Sequence, residues 1–174
     1  MDRRGRPWKV VFAHRHWNIV LDTYTVSTGK STTTYTRIRA LFEPNLPFRF
    51  AFIRETFLTR VGKFLGMKDV ETANPLLDRD YLVRTDNESM VRALVSGSHI
   101  AELLVQQPSG TLEIVKFRGR RSPRPERAAE LRWRTGSVIR DPYRLEQLVA
   151  LFRETLDRLE RIGGATDSRI DYPL

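Results

Sequence analysis

The chain has 174 residues, 40% hydrophobic and 10% aromatic, a composition typical of one folded domain and unlike that of a disordered chain. The absence of cysteine excludes a disulfide framework, a thiolate metal site and a cysteine nucleophile. Thirty basic and twenty-one acidic residues give a net charge of +9, which suits an anionic partner, although an arginine excess can also reflect genome composition.

The N-terminal part of the sequence predicts three strands after a flexible basic start at residues 1–7. Apolar and polar residues alternate from residue 8 to residue 17, the period of two that is typical of a strand. The stretches 19–26 and 32–42 are rich in β-branched residues and flank a turn sequence, so they predict a hairpin.

The tip of this hairpin, Gly29-Lys30-Ser31, has the same letters as the end of a phosphate-binding loop. Such a loop needs a glycine five residues before Gly29, where this chain has Tyr24, and a helix after the serine, where this chain has a strand pattern. We therefore predict an ordinary glycine turn with an exposed lysine.

Phe48, Phe50 and Phe52 alternate along the next predicted strand. Aromatic side chains on one face of a sheet can stack on nucleic-acid bases, but a buried core face is the favoured interpretation. Residues 55–65 change to a helical period, and Gly66 is predicted to end that helix.

The middle of the chain predicts a strand at residues 78–84, followed by a helix start. Thr85 and Glu88 have the spacing of a capping box, in which both side chains satisfy free backbone N–H groups. A helix with Met90 and Leu94 on one side should follow, and a second short helix is predicted around residues 100–104.

The last third predicts a hairpin from strands at 111–117 and 130–134, with Leu131 and Trp133 inward and Arg132 and Arg134 outward. A long amphipathic helix is predicted after it, capped by Asp141. Its apolar stripe consists of Leu145, Leu148, Val149, Phe152, Leu156, Leu159 and Ile162.

Together these elements predict a single α+β domain over residues 8–165, with residues 166–174 as a loose tail. We expect an antiparallel sheet of six to seven strands, the C-terminal amphipathic helix on one face and the short helices at the edge. The element order would also suit a pleckstrin-homology-like barrel.

Two clusters of residues were considered as metal sites. His14 and His16 lie two apart on a predicted strand, so their rings would point the same way, but no third ligand is marked. Acidic residues crowd into the stretch 69–88, where Asp78 and Asp80 would share a strand face. The favoured interpretation is that the histidines are partly exposed at a strand end and that the acids have ordinary loop and cap roles, so no metal or cofactor is predicted.

The sequence carries no HExxH motif, no nucleophile elbow and no dinucleotide-binding glycine turn, which makes an enzyme the less favoured class. The best functional candidate is the basic hairpin at 116–134, because arginines in a loop can clamp phosphate groups. Its predicted anion-binding residues are Lys116, Arg118, Arg120, Arg121, Arg124, Arg127, Arg132 and Arg134. The alternative is a solvated loop without a ligand.

Three stretches resemble a group of uncharacterised bacterial domains that commonly follow membrane-spanning segments in longer proteins. These are the hairpin sequence 27–35, the sequence Gly66-Met-Lys-Asp-Val70, and the pattern 77–83 followed by Asp86 and a leucine-bearing helix. The resemblance covers roughly residues 14–107, and Leu77 stands where those domains tend to have an aromatic residue. It implies a module near the cytoplasmic face of a membrane and supplies no catalytic residue.

The sequence therefore predicts a non-catalytic binding or scaffold module in the cytoplasm, docking through the basic hairpin onto an anionic surface such as a membrane. The first alternative is nucleic-acid binding by the same arginines, with Trp133 as a stacking platform. The second is a metal-dependent hydrolase at Asp78 and Asp80. A protein partner is compatible with all three, and the oligomeric state is open.

Overall fold

The computed structural model describes residues 8–54, 66–117, 125, 127–172 and 174. Its strands are β1 (Lys9–His14), β2 (Trp17–Ser27), β3 (Thr32–Phe42), β4 (Phe50–Arg54), β5 (Lys68–Asp69), β6 (Tyr81–Thr85), β7 (Thr111–Lys116) and β8 (Ala129–Thr135). Its helices are α1 (Pro75–Asp80), α2 (Glu88–Val95), α3 (Ile100–Val105) and α4 (Pro142–Arg161). The helix predicted at 55–65 lies outside the described residues.

The described strands form one antiparallel sheet in the order β1-β2-β3-β8-β7-β4-β6-β5. This confirms the predicted α+β class with an antiparallel sheet, a C-terminal helix and a few short helices. The strand beyond the predicted number is β5, whose two residues are too few to show a period of two. Because β1 and β5 lie at opposite edges, the described strands form an open sheet and not a closed barrel.

One face of the sheet, here called the core face, forms the hydrophobic core. The strand register places Leu21 opposite Ile38, Ile38 opposite Trp133 and Leu112 opposite Phe52, and all five side chains are buried. All four helices contribute buried side chains to the same cluster. The core therefore lies between the sheet and the helices, as expected of a two-layer α+β domain.

The phenylalanines of the β4 region belong to this core. Phe48 is almost fully buried, and Phe50 and Phe52 are fully buried with ring centroids 5.1 Å apart. The predicted core role is confirmed, and the burial of these rings excludes stacking on an external base.

The long helix α4 follows its sequence signals closely. The Asp141 side chain accepts a hydrogen bond from the Tyr143 amide at 3.1 Å, and Pro142 occupies the first turn. The stripe residues Leu148, Phe152 and Leu156 are fully buried. The helix therefore buries one continuous face, which is what its 3.6-residue period predicts.

Three local predictions were wrong. The first predicted strand is interrupted by a turn at Arg15 and His16, where Arg15 adopts a positive φ of 52° without a glycine or asparagine signal. Residues 75–80 form α1 before the strand begins at Tyr81. Helix α2 is capped by Asn87, whose side chain accepts from the Met90 amide, and not by Thr85.

The Thr85 side chain makes hydrogen bonds at the end of the sheet instead of capping α2. Its hydroxyl donates to the Arg49 carbonyl at 2.8 Å and accepts from the Asn87 amide at 2.9 Å. A side chain that is buried between strands has no freedom to reach the N3 amide, so the asparagine two residues later takes that role.

Gly110 shows how tightly β7 and β8 pack. It has φ +134°, and a Cβ atom built there would lie 2.2 Å from Cζ2 of Trp133. Only glycine therefore allows the chain entering β7 to approach the buried indole.

The C-terminal segment predicted to be loose makes several contacts with the sheet. The Thr166 amide donates to the Glu43 carbonyl at 2.9 Å, and the rings of Tyr172 and Phe117 meet edge to face at 5.0 Å. The Lys9 ammonium donates to the backbone carbonyl of Leu174.

Among the described residues, no helix has the length and apolarity to cross a membrane.

Candidate anion-binding surfaces

The eight residues of the predicted anion-binding hairpin fall into three groups. Lys116, the last residue of β7, and Arg127, just before β8, are exposed. Arg132 and Arg134 lie within β8 and are partly buried. The other four, Arg118, Arg120, Arg121 and Arg124, lie outside the described residues.

The orientation of β8 agrees with its sequence, but two of its arginines are not free. Leu131 and Trp133 are fully buried on the core face, as predicted. Arg132 and Arg134 point to the opposite face, where Nη2 of Arg132 donates to Oε1 of Glu113 at 2.9 Å. Nε of Arg134 lies 3.2 Å from the same oxygen. The acid on the neighbouring strand thus holds two residues that were expected to be exposed.

A matching arrangement occurs on β2 and β3. Asp22 accepts from Nε and Nη2 of Arg37 at 2.9 and 2.8 Å, and from Nη2 of Arg39 at 2.8 Å. Asp22 lies directly opposite Arg37 in the antiparallel register, which brings the two planar groups together. This group was not predicted, although an aspartate and two arginines on opposite arms of a predicted hairpin are a detectable signal in the sequence.

These residues define what we call the second face, the side of the sheet opposite the core. It carries Asp22, Arg37, Arg39, Glu113, Glu130, Arg132 and Arg134. Burial raises the pKa of Glu130, and the nearby guanidinium groups of Arg132, Arg39 and Arg37 oppose that rise.

The two histidines considered as metal ligands do not form a pair. Nε2 of His14 lies 2.9 Å from Oδ1 of Asp157 in α4, whereas His16 belongs to the turn and its ring contacts Trp17. Arg15 also pairs with Asp157. The group therefore joins the β1–β2 turn to the C-terminal part of α4.

The acidic stretch 69–88 is used for structural contacts. Asp78 accepts from both the amide and the hydroxyl of Thr72, at 2.8 and 2.7 Å. Asp80 pairs with Arg79 and Arg54, and the hydrogen bond from Arg79 lowers the pKa of this carboxyl. In the part of the chain that the structure describes, no three histidine or acidic side chains gather in a way that could hold a metal ion.

A second polar cluster surrounds Tyr81 at the end of β4 and β6. The Tyr81 hydroxyl donates to the Leu104 carbonyl at 2.7 Å, and the Arg54 guanidinium lies 5.2 Å from the ring centroid. Burial raises the pKa of Tyr81 and lowers that of Arg144, which donates to Gln107. These hydrogen bonds tie α3 to the sheet and to α4.

Charge is distributed unevenly along the chain. The described residues contain twenty-one basic and eighteen acidic side chains, an excess of three out of the total of nine. Many of the described arginines pair with acids, as on the second face. Most of the positive excess therefore comes from sequence outside the described residues.

Comparisons with models of protein families, with curated proteins and with solved structures found no match to this chain.

Proposed function

We propose that the protein is a binding module that docks on an anionic surface through the hairpin of β7 and β8. The observation that carries this proposal is the contrast in charge balance. The stretch 116–134 carries eight basic residues and two acidic ones, whereas the rest of the chain carries twenty-two basic and nineteen acidic residues. Charge of one sign concentrated in one stretch attracts polyanions more strongly than the same charge spread evenly.

The exposed positions at the base of the hairpin support the same conclusion. Lys116 and Arg127 lie at the ends of two strands that are anchored by the buried residues Leu131 and Trp133. The paired strands β7 and β8 therefore fix the two points at which the intervening segment leaves and rejoins the sheet. Docking would then orient the whole module on its target.

Membrane headgroups are favoured over nucleic acid as the target. Trp133, the aromatic side chain that would have stacked on bases next to the arginines, is fully buried in the core. Phe117, the other aromatic residue of the stretch, packs edge to face against Tyr172. The electrostatic attraction of the hairpin suits a headgroup surface, where each basic residue contributes about 1 kcal/mol. The inner face of a membrane, which is rich in anionic lipids, is therefore the proposed surface.

The test is cosedimentation of the whole chain with vesicles that contain phosphatidylserine, compared with vesicles of phosphatidylcholine alone. We expect binding to the anionic vesicles that weakens as salt is added, because counterions screen exposed charges. Replacing Arg120, Arg121, Arg124 and Arg127 together by Gln should weaken binding by a factor of roughly 1000, at about 1 kcal/mol per charge.

The matched control replaces four exposed arginines elsewhere, Arg140, Arg153, Arg161 and Arg169, by Gln. It removes the same charge and should reduce vesicle binding far less. Equal losses in the two variants would show that net charge and not the hairpin is responsible, and the proposal would fail. Tighter binding to a labelled oligonucleotide than to anionic vesicles would replace the membrane by nucleic acid.

A further inference from the structure

The second face brings four guanidinium groups together in the middle of the sheet. In the register of β3 and β8, Arg37 lies opposite Arg134 and Arg39 lies opposite Arg132. We call these four residues the arginine block. Like charges placed directly opposite each other destabilise a sheet, so this arrangement needs compensating negative charge.

Among the described residues, three acids lie next to the arginine block and compensate its charge only in part. Asp22 serves Arg37 and Arg39 from one side, and Glu113 serves Arg132 and Arg134 from the other. Glu130 is more distant, with its Oε1 3.9 Å from Nη1 of Arg132. Even with all three acids ionised, four guanidinium groups face three carboxylates.

Hydrogen-bond donors of the block are also left over. Within the described residues, Nε of Arg39 is buried without a hydrogen-bond acceptor, and Nε of Arg134, although 3.2 Å from Oε1 of Glu113, is not aligned to donate a hydrogen bond to it. Arg39 donates one hydrogen bond, through Nη2 to Asp22, although a guanidinium carries five N–H groups. Buried donors of this kind are costly unless an acceptor is supplied.

The block is nevertheless reachable. The side chains of Arg37, Arg39, Arg132 and Arg134 are 22%, 15%, 27% and 24% exposed. In the described part of the chain, the helices pack on the core face and leave these side chains on the other side. A small group can therefore approach from solvent, while partial burial strengthens any charge-assisted hydrogen bond that it makes.

We propose that the arginine block binds a compact oxyanion, a phosphate-like or carboxylate group, that accepts hydrogen bonds from Arg39 and Arg134. A planar guanidinium group can donate two parallel hydrogen bonds to either a phosphate-like group or a carboxylate. Arg132 and Arg134 belong to the stretch 116–134, but the site differs from the exposed part of the hairpin, because it lies within the sheet and also needs Arg37 and Arg39 of β3.

Glu130 makes this binding dependent on pH. The charged groups that face it are Arg132, Arg39, Arg37 and Asp22. When Glu130 loses its proton, it competes with the incoming anion for the same guanidinium groups. Because burial raises the pKa of Glu130, binding should be tightest below that pKa and should weaken as pH rises through it.

The test is calorimetric titration of the whole chain with sodium sulfate and with sodium acetate, each against sodium chloride at equal ionic strength. Sulfate stands in for a phosphate group and does not titrate in the range used. We expect saturable binding of at least one oxyanion, and the tighter of the two identifies the group. No saturable binding of either would overturn the proposal.

Variants locate the site. Arg39→Lys and Arg134→Lys keep the positive charge but lose the planar guanidinium group that donates paired hydrogen bonds. Each substitution should therefore weaken oxyanion binding about tenfold. Arg92→Lys, in an exposed pair with Glu88, should leave it unchanged. Equal weakening by Arg92→Lys would contradict the assignment.

Two further measurements remain informative if a lysine variant fails to fold. Glu130→Gln should bind the oxyanion more tightly than the natural chain at pH 8 and should show little dependence on pH. Unchanged affinity would count against the block. The fourfold Gln variant of the hairpin should bind sulfate normally, and its failure to do so would place the anion on the hairpin instead.

Discussion

The hairpin of β7 and β8 carries basic residues in two different situations. Lys116 and Arg127 lie at the strand ends and are exposed, whereas Arg132 and Arg134 lie in the middle of β8 and are held by Glu113 on β7. All four looked alike as positive charges in the sequence. The difference shows that a basic residue whose neighbouring strand supplies a counterion can bind a ligand only in competition with that acid, whereas an exposed basic residue binds without such competition.

The largest effect is expected on the opposite side of β8. Trp133→Ala removes a fully buried indole and should lower the free energy of unfolding by about 3–5 kcal/mol. Urea denaturation followed by circular dichroism measures this. Val138→Ala, at a partly exposed position after the strand, is the control and should change stability by less than about 0.5 kcal/mol. A loss below 1 kcal/mol for Trp133→Ala would mean that β8 is not a core strand.

The next largest effect tests the paired arginines. Asp22→Asn leaves Arg37 and Arg39 without their shared carboxylate in a partly buried setting, and should cost about 2–3 kcal/mol. The comparison variant is Glu88→Gln, which breaks an exposed pair with Arg92 and should cost about 0.5 kcal/mol or less. Similar losses in the two variants would show that the second face behaves as ordinary solvated surface.

A smaller effect concerns Glu130. Its pKa in the folded state is raised above the unfolded value, so its stabilising contribution is complete below the unfolded pKa of about 4.3 and is lost as pH rises through the folded pKa. Glu130→Gln should therefore be more stable than the natural chain at pH 7, with the difference shrinking toward pH 4. Urea midpoints measured across this range test the sign, and a constant difference would refute it.

The smallest effect on stability is expected at the exposed strand ends. Lys116→Ser and Arg127→Ser should each change the free energy of unfolding by no more than about 0.5 kcal/mol, because neither side chain is buried. Each should still weaken binding to anionic vesicles by about 1 kcal/mol. If Lys116→Ser or Arg127→Ser destabilised the fold and left vesicle binding unchanged, these exposed residues would be structural, and their predicted difference from Arg132 and Arg134 would be wrong.

The fold was largely predictable because its signals are local. The alternation of Phe48, Phe50 and Phe52 and the stripe of α4 each depend on the period of one element, and both are confirmed. The cap of α2 was misassigned because Thr85 is buried against the backbone of Arg49, a contact 36 residues away in sequence. Local sequence patterns do not reveal a hydrogen-bond partner that is so distant along the chain.

The two candidate sites also differ in how far the sequence alone could predict them. The basic stretch at 116–134 was visible as composition, and the prediction that it binds an anion remains a prediction. The arginine block was not visible, because it requires β3 to lie next to β8 and thus joins residues about 95 positions apart. Asp22 could have been recognised as a counterion from the predicted hairpin of β2 and β3, whereas the role of Glu113 for Arg134 depends on how β7 and β8 are placed.

The amino-acid sequence alone determined most of the segments that form strands and helices, which of their faces are apolar, and that the chain is strongly basic. These properties follow from side-chain periodicity and from charge, which each segment carries by itself. Only the tertiary structure decided which arginines are neutralised and which remain free. That outcome depends on strand order and register, which set the few ångströms between a guanidinium and a carboxylate.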